Sequence, residues 1–229
     1  MDLYGEKSKS IPQKTLLLIL EVIILIVSYW ILFNNGYRKL MSPFLDITVT
    51  GNKIRHILLF SFNCVVFLRI LITIFYLLKR KMPWEEAISI PFAFAIYYIG
   101  FAMLGYKSES VIGLPDVIGI FLFILGSALN TVSELQRDAW KKRPENKEHL
   151  YTGGFFKYAM HINYFGDILW VSAYALLTRN WYAVIIPVWL FCFFAFFNVP
   201  KLDKYLVSKY GKEFEEYSKM TKKLIPFLY

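Results

Sequence analysis

The chain is poor in the residues that build most soluble sites. Of its 229 residues only 19% are charged, two are cysteine and three are histidine. Cys64 and Cys192 each sit inside an apolar run. Neither shows the Cys-x-x-Cys or Cys/His spacing of a zinc centre or a dithiol redox pair, so both read as free, buried thiols. His56, His149 and His161 are too scattered to form a local metal motif. No Gly-x-Gly-x-x-Gly turn follows a strand-like segment, which removes a soluble Rossmann-type dinucleotide site. Internal repeats and low-complexity tracts are also lacking, and the scarcity of charge excludes disorder.

What fills the chain instead is apolar surface. Hydrophobic residues make up 57% and aromatics 19%, more than one soluble domain of this length carries. A backbone crossing hydrocarbon must satisfy every N–H and C=O within its own segment, which takes a helix of about 20 apolar residues. Six stretches meet or approach that requirement: Thr15 to Phe33, Ile57 to Leu78, Ala87 to Tyr106, Val117 to Asn130, Ile162 to Thr178 and Trp181 to Val199. The fourth continues as a polar helix through Lys141, and only Arg179 and Asn180 separate the fifth from the sixth. The expected fold is all-α: a polytopic membrane helical bundle of about six transmembrane helices in one integral membrane domain over 1–229. A C-terminal amphipathic surface helix completes it, because Leu206, Tyr210, Phe214 and Tyr217 recur at helical spacing after Pro200. Such a stripe serves packing more often than binding.

The formal charge is +9, which suits an anionic lipid surface or an anionic cofactor and does not by itself imply nucleic acid. The cations are unevenly placed. With a cytosolic amino terminus, that side receives Lys7, Lys9 and Lys14, then Lys79, Arg80 and Lys81, then the Arg137 to Lys157 cluster and the lysines from Lys201 to Lys223. The opposite side receives Arg38, Lys39, Lys53, Arg55, Lys107 and Arg179. The positive-inside bias predicts both termini in the cytosol, in the plasma or inner membrane of a bacterium or the endoplasmic reticulum of a eukaryote. The first apolar run lacks a small-residue cleavage site and reads as a retained anchor.

Two polar stripes stand out. Asn130, Glu134, Arg137 and Lys141 are four, three and four residues apart, so on a continuous helix they share one face. A solvated helix end accounts for Arg137 and Lys141, but Asn130 and Glu134 continue an apolar span, at a depth where uncompensated polar groups are expensive. After the loop, Gly153-Gly154-Phe155-Phe156-Lys157-Tyr158 leads into a segment in which Asn163, Asp167, Trp170 and Tyr174 share a face. Two polar helix faces meeting at the membrane boundary make a cofactor site, a proton path or a structural hydrogen-bond network.

The run Phe121 to Gly126, followed by Asn130 and Glu134, then Gly153 to Tyr158, Asn163-Tyr164-Phe165-Gly166-Asp167 and the ending Lys223-Leu224-Ile225-Pro226-Phe227, resembles the steroid 5-alpha-reductase family and the related DUF1295 membrane proteins. The likeness runs in order over about Val117 to Tyr229. It implies a membrane reductase in which NADPH, entering from the cytosol, gives a hydride to an activated carbon–carbon double bond of a lipophilic, steroid or isoprenoid, substrate. It assigns Asn130, Glu134, Asn163 and Asp167 to the cofactor, with Lys141 where a cofactor-binding Arg is common, and Tyr164 as part of the Asn-Tyr-x-Gly-acid motif. Lys79, Arg80, Lys81, Lys142 and Arg143 add cations on the same proposed side. The chain departs from the pattern at Met160, where many relatives carry Arg. Its amino-terminal half gives no clear match to the family's carbonyl-polarising acid and tyrosine; Glu21, Tyr76 and Tyr98 are the candidates for that catalytic role, with Arg69 and Tyr97 nearby in sequence. Two other classes remain open: an S-adenosylmethionine-dependent membrane methyltransferase of the isoprenylcysteine carboxyl or phospholipid type, and a non-catalytic membrane protein.

Overall fold

The computed structural model describes residues 8–44 and 50–229, so Lys7 of the proposed cytosolic set lies outside the described residues. The described residues contain helices and no strand. Helix α1 (Ile11–Phe33) starts with a proline in its first turn, where the missing N–H has no intrahelical partner to lose. A short α2 (Gly36–Met41) follows. Helix α3 (Lys53–Ile72) is capped by Asn52, whose side chain accepts from the Ile54 N–H at 2.9 Å. It continues as a π-helical segment, Thr73–Leu77. Helix α4 (Trp84–Ala95) opens after Pro83 with Glu85 and Glu86 in its first turn, which suits the helix dipole. It passes through a second π-helical segment, Ile96–Gly100, into α5 (Phe101–Gly105).

Helix α6 (Leu114–Lys141) runs 28 residues without interruption, so the apolar span and its polar continuation are one helix. Helix α7 (Ile162–Thr178) has 17 residues. A 3-10 turn (Trp181–Val184), α8 (Ile185–Phe193), a π-helical segment (Phe194–Asn198) and α9 (Val199–Tyr210) together make one 30-residue rod. Among the described residues, five helical stretches are long and apolar enough to cross a membrane: Ile11–Phe33, Lys53–Leu77, Trp84–Gly105, Leu114–Lys141 and Trp181–Tyr210. α7, the fifth of the six expected spans, is shorter than these. Only 28–33% of each span's most apolar window is buried within the protein, which leaves the remainder for lipid. Both cysteines are free, as expected, but Cys192 is exposed on α8 rather than buried and Cys64 is half-buried. An i, i+3, i+4 analysis cannot orient a span that is apolar all round.

The chain divides into two compact units. In the first, residues 1–117 with 174–183, α1 packs along α4 and also meets α2, α3 and α5. Several of its buried polar groups are tied together. Arg55 and Asp116, both fully buried, form an ion pair, Arg179 adds a second contact to Asp116 at 2.5 Å, and Arg55 also donates to the carbonyls of Leu177 at 2.6 Å and Ser110 at 3.0 Å. Beside it the rings of Tyr37 and Tyr106 stack at 4.4 Å, and His56 stacks on Tyr106 while its Nε2 meets the Tyr106 carbonyl at 2.9 Å.

The second unit comprises residues 118–173 and 184–229. One apolar cluster gathers Phe156, Ala159 and Ile162 with Leu129, Tyr151, Phe155 and Phe165. The other packs Phe214 and Tyr217 on Met160, flanked by Leu150, Leu206 and Tyr210. The tail stripe is therefore a packing device. It is also not one helix: Gly211, at φ +50°, ends α9 and starts α10 (Lys212–Met220), a backbone conformation open to glycine at little cost. Tyr217 donates its hydroxyl to the Phe156 carbonyl, and burial pushes its phenol well above the usual range.

Candidate functional site

The polar stripe of α6 meets α7 where both helices have glycine. A Cβ on Gly126 would lie 2.5 Å from the Gly166 carbonyl oxygen, and one on Gly166 would lie 2.6 Å from the Gly126 carbonyl oxygen and 2.7 Å from the Asn130 amide nitrogen. Backbone therefore packs on backbone, as small residues permit between membrane helices. This approach brings the next turn of polar side chains within reach. Asn130 donates through Nδ2 to the Asn163 carbonyl at 3.2 Å, Asn163 donates through Nδ2 to Glu134 Oε1 at 3.0 Å, and Glu134 ion-pairs with Arg137 through its other oxygen. Asn130, Glu134, Arg137 and Asn163 are all half-buried.

The other sequence-selected residues of this unit are placed differently. Asp167 lies one turn beyond Asn163, also half-buried, with Oδ1 accepting the Trp170 indole N–H at 2.7 Å. Tyr164 stacks between His161 at 5.8 Å and Phe194 at 4.5 Å. Lys141 is exposed at the end of α6, where its ammonium donates to the Tyr210 hydroxyl at 3.2 Å.

Three features of the rim were not legible in the sequence. Gly154 has φ +54°, and its turn lets the Phe155 N–H reach Gln136 Oε1 at 3.3 Å on the α6 stripe. The Arg137 guanidinium lies 5.6 Å over the Phe156 ring. His161, 1% exposed, meets Asp203 of α9 at 2.8 Å, while the amides of Met160 and His161 pair with the carbonyls of Lys222 and Lys223. The last residues of the chain are thus laced to the start of α7. Only the Gly-Gly pair offered a sequence signal, and it could not name Gln136.

In the first unit, Glu21 of α1 and Tyr98 of the Ile96–Gly100 segment are both fully buried. Neither carboxyl oxygen of Glu21 nor the hydroxyl of Tyr98 has a hydrogen-bond partner among the described residues, an expensive condition that marks such groups for attention. Glu21 lies within electrostatic reach of the Tyr98 phenol, as does Arg69. The tyrosine's backbone is fixed by a buried chain: Ser28 Oγ donates to the Tyr98 carbonyl at 3.1 Å, Asn63 Nδ2 to Ser28 Oγ at 2.8 Å, and the Tyr174 hydroxyl to Asn63 Oδ1 at 2.8 Å. The π-helical turn, a deviation often found at functional sites, carries Tyr98 on this network. Tyr76 is 49% exposed on the Thr73–Leu77 segment. No group of histidine, cysteine and acidic side chains suited to a metal ion occurs among the described residues.

These features define a polytopic helical membrane protein with a glycine-mediated helix crossing under a half-buried amide–carboxylate–guanidinium network. A family model described as "Protein of unknown function (DUF1295)" matches residues 87–221, more than half of the sequence, and the chain belongs to that family. It is 30% identical over 164 residues, 68% of this chain and 62% of the relative, to "3-oxo-5-alpha-steroid 4-dehydrogenase 2" of Mus musculus. The human protein of that name is 33% identical over 112 residues, 49% of this chain and 42% of the relative. "Probable O-methyltransferase ustE" of Ustilaginoidea virens is 34% identical over 92 residues, 40% of this chain and 32% of the relative. The chain spans less than two thirds of the length of these curated relatives. Apolar helices and relatives together make it an integral membrane protein.

Proposed function

We propose that the protein is an NADPH-dependent reductase of a lipophilic, enone-like substrate such as a 3-oxo steroid. The observation that carries this reading is the Asn130–Asn163–Glu134–Arg137 network, half-buried at a crossing that two glycines hold tight. Its donor set fits the cofactor: amides and a carboxylate suit ribose hydroxyls and a carboxamide, and Arg137 and Lys141 suit phosphates. Asn130, Glu134, Asn163 and Asp167 would hold the nucleotide's polar groups, and Lys141 its phosphates. Tyr164, stacked on His161 and Phe194, orients the α7 start. When held there, NADPH would supply a hydride for the carbon β to the substrate carbonyl.

As that bond forms, charge grows on the carbonyl oxygen and needs a donor. Glu21 and Tyr98 suit the task, since among the described residues their buried polar atoms lack a partner such as a carbonyl oxygen could provide. A proton then reaches the α carbon, so one hydride and one proton saturate the double bond. Tyr76, half-exposed, takes no part in this assignment. Both termini face the cytosol in this reading, on the side where the cations cluster.

The test uses detergent-purified protein with NADPH and a 3-oxo steroid bearing the 4,5 double bond. Saturable cofactor binding that Asn163→Ala and Glu134→Ala abolish is expected, as is steroid-dependent NADPH consumption that Glu21→Gln lowers without changing cofactor affinity. Protein that binds no NADPH, or variants that behave as the parent, refute the assignment. The likeness to the methyltransferase ustE supports a second reading, in which S-adenosylmethionine occupies the same network. A melting point raised by S-adenosylmethionine and not by NADPH selects it.

A further inference from the structure

A second polar site lies in the first unit, apart from the groups assigned above. Ser8, Lys9, Lys14, Phe75, Leu78 and Lys79 line an open cavity of about 360 Å³ at the start of α1 and the end of the Thr73–Leu77 segment. The cavity is held by two long-range hydrogen bonds. Lys14 donates through Nζ to the Leu78 carbonyl at 3.0 Å, and Ser10 accepts through Oγ from the Met82 N–H at 2.9 Å. The first bond matters most. Lys14 is only 7% exposed, yet an ammonium has three donors, and one carbonyl occupies one of them. Its head is fixed at the cavity while its stem is buried, so it has already lost the rotamer freedom that a surface lysine surrenders on binding.

The surroundings favour an anion with an apolar appendage. Arg80, next along the turn, is engaged with both oxygens of Glu86 at 3.0 and 2.8 Å, so that carboxylate is directed to the arginine. Lys9 and Lys79 flank Lys14, and Phe75, 62% exposed, faces outward from a segment whose neighbours lie in a membrane-crossing helix. Three ammonium groups at the end of a membrane span, beside an exposed aromatic ring, match the border between a phosphate headgroup and its acyl chains.

We propose that this cavity binds a phosphate anion, as the headgroup of an anionic lipid or as free phosphate. Lys14 is the preorganised contact and Lys9 and Lys79 the adaptable ones. Phe75 and Leu78 bear on the acyl chain when the source is a lipid.

The test is thermal melting of the full chain in neutral detergent, titrated separately with dioleoyl phosphatidylglycerol, dioleoyl phosphatidylcholine and inorganic phosphate. A saturable rise with phosphatidylglycerol but not phosphatidylcholine is expected, with the half-saturating concentration raised about fivefold in Lys9→Gln and again in Lys9→Gln/Lys79→Gln. Lys14→Gln should lose more. Because it alters a buried residue, the two exposed lysines carry the decision if it fails to fold. A rise with inorganic phosphate identifies the free anion as sufficient; a rise with phosphatidylglycerol alone identifies the amphiphile. Equal responses to the two lipids without any response to phosphate, or an unchanged half-saturation in Lys9→Gln/Lys79→Gln, overturn the proposal.

Discussion

Replacing Gly166 by alanine tests whether the glycine crossing builds the site. The added Cβ would lie 2.6 Å from the Gly126 carbonyl oxygen and 2.7 Å from the Asn130 nitrogen, against the 3.4 Å at which ordinary contact begins. The shortfall is 0.8 and 0.7 Å, and the obstructing atoms are backbone, which cannot swing aside as a side chain does. The helices must therefore part. Overpacking of this kind costs about 1–3 kcal/mol, or a melting point lower by roughly 5 °C. The functional effect follows from the same displacement. The bonds from Asn130 to the Asn163 carbonyl and from Asn163 to Glu134 measure 3.2 and 3.0 Å. A separation of that size carries both past about 3.6 Å, where no hydrogen bond remains. With two bonds of about 1 kcal/mol lost from the framework, NADPH affinity should fall at least about tenfold. Thermal melting and quenching of intrinsic fluorescence by NADPH measure the two effects. Gly113→Ala is the control, since its Cβ would meet nothing closer than 3.8 Å and both readouts should hold. A Gly166→Ala protein that melts and binds like the parent would refute the reasoning.

Three further perturbations probe other joints. Asp116→Ala leaves Arg55 buried without its carboxylate, which should cost about 3–5 kcal/mol; Arg55→Met/Asp116→Ala should recover part of the lost melting temperature, and a double variant no more stable than the single one contradicts the ion-pair explanation. The Leu150 N–H and the His149 imidazole hold the Glu213 carboxyl below its usual 4.5. A lowered folded-state value means that its stabilisation is complete above pH 4.5 and fades as pH falls through the depressed value, so proteolysis of the 144–150 loop should rise below pH 4.5 in the parent and lose that pH dependence in Glu213→Gln. Tyr217→Phe removes the donor to the Phe156 carbonyl at a buried site and should lower stability by about 1 kcal/mol, read by melting; no change would mean that this hydrogen bond adds nothing to the hold on the tail.

The lines of the candidate network that could be read from the sequence are those governed by one helix at a time. Four, three and four residues between Asn130, Glu134, Arg137 and Lys141 fix their angular positions on α6, and the helix is indeed continuous through all four. The same spacing placed Asn163 and Asp167 on one face of α7, yet the structure joins Asn163 to Glu134 and gives Asp167 an indole partner three residues away. Angular position does not determine the depth at which two helices cross. That depth is set by Gly126 and Gly166, whose significance appears only when the two backbones are brought together.

What the sequence alone determined is the all-α membrane architecture, because hydrocarbon forces each span to satisfy its own backbone and so writes itself as a long apolar run. It also determined the polar periodicity within a helix. The tertiary structure decided what periodicity leaves free. It put Tyr98 and Glu21 within electrostatic reach and Tyr76 at the surface, turned the tail stripe onto Met160 with a break at Gly211, and joined His161 to Asp203 across 42 residues of sequence. Those are choices among side-chain contacts distant in the chain, fixed by how helices pack and by which buried polar groups must find one another.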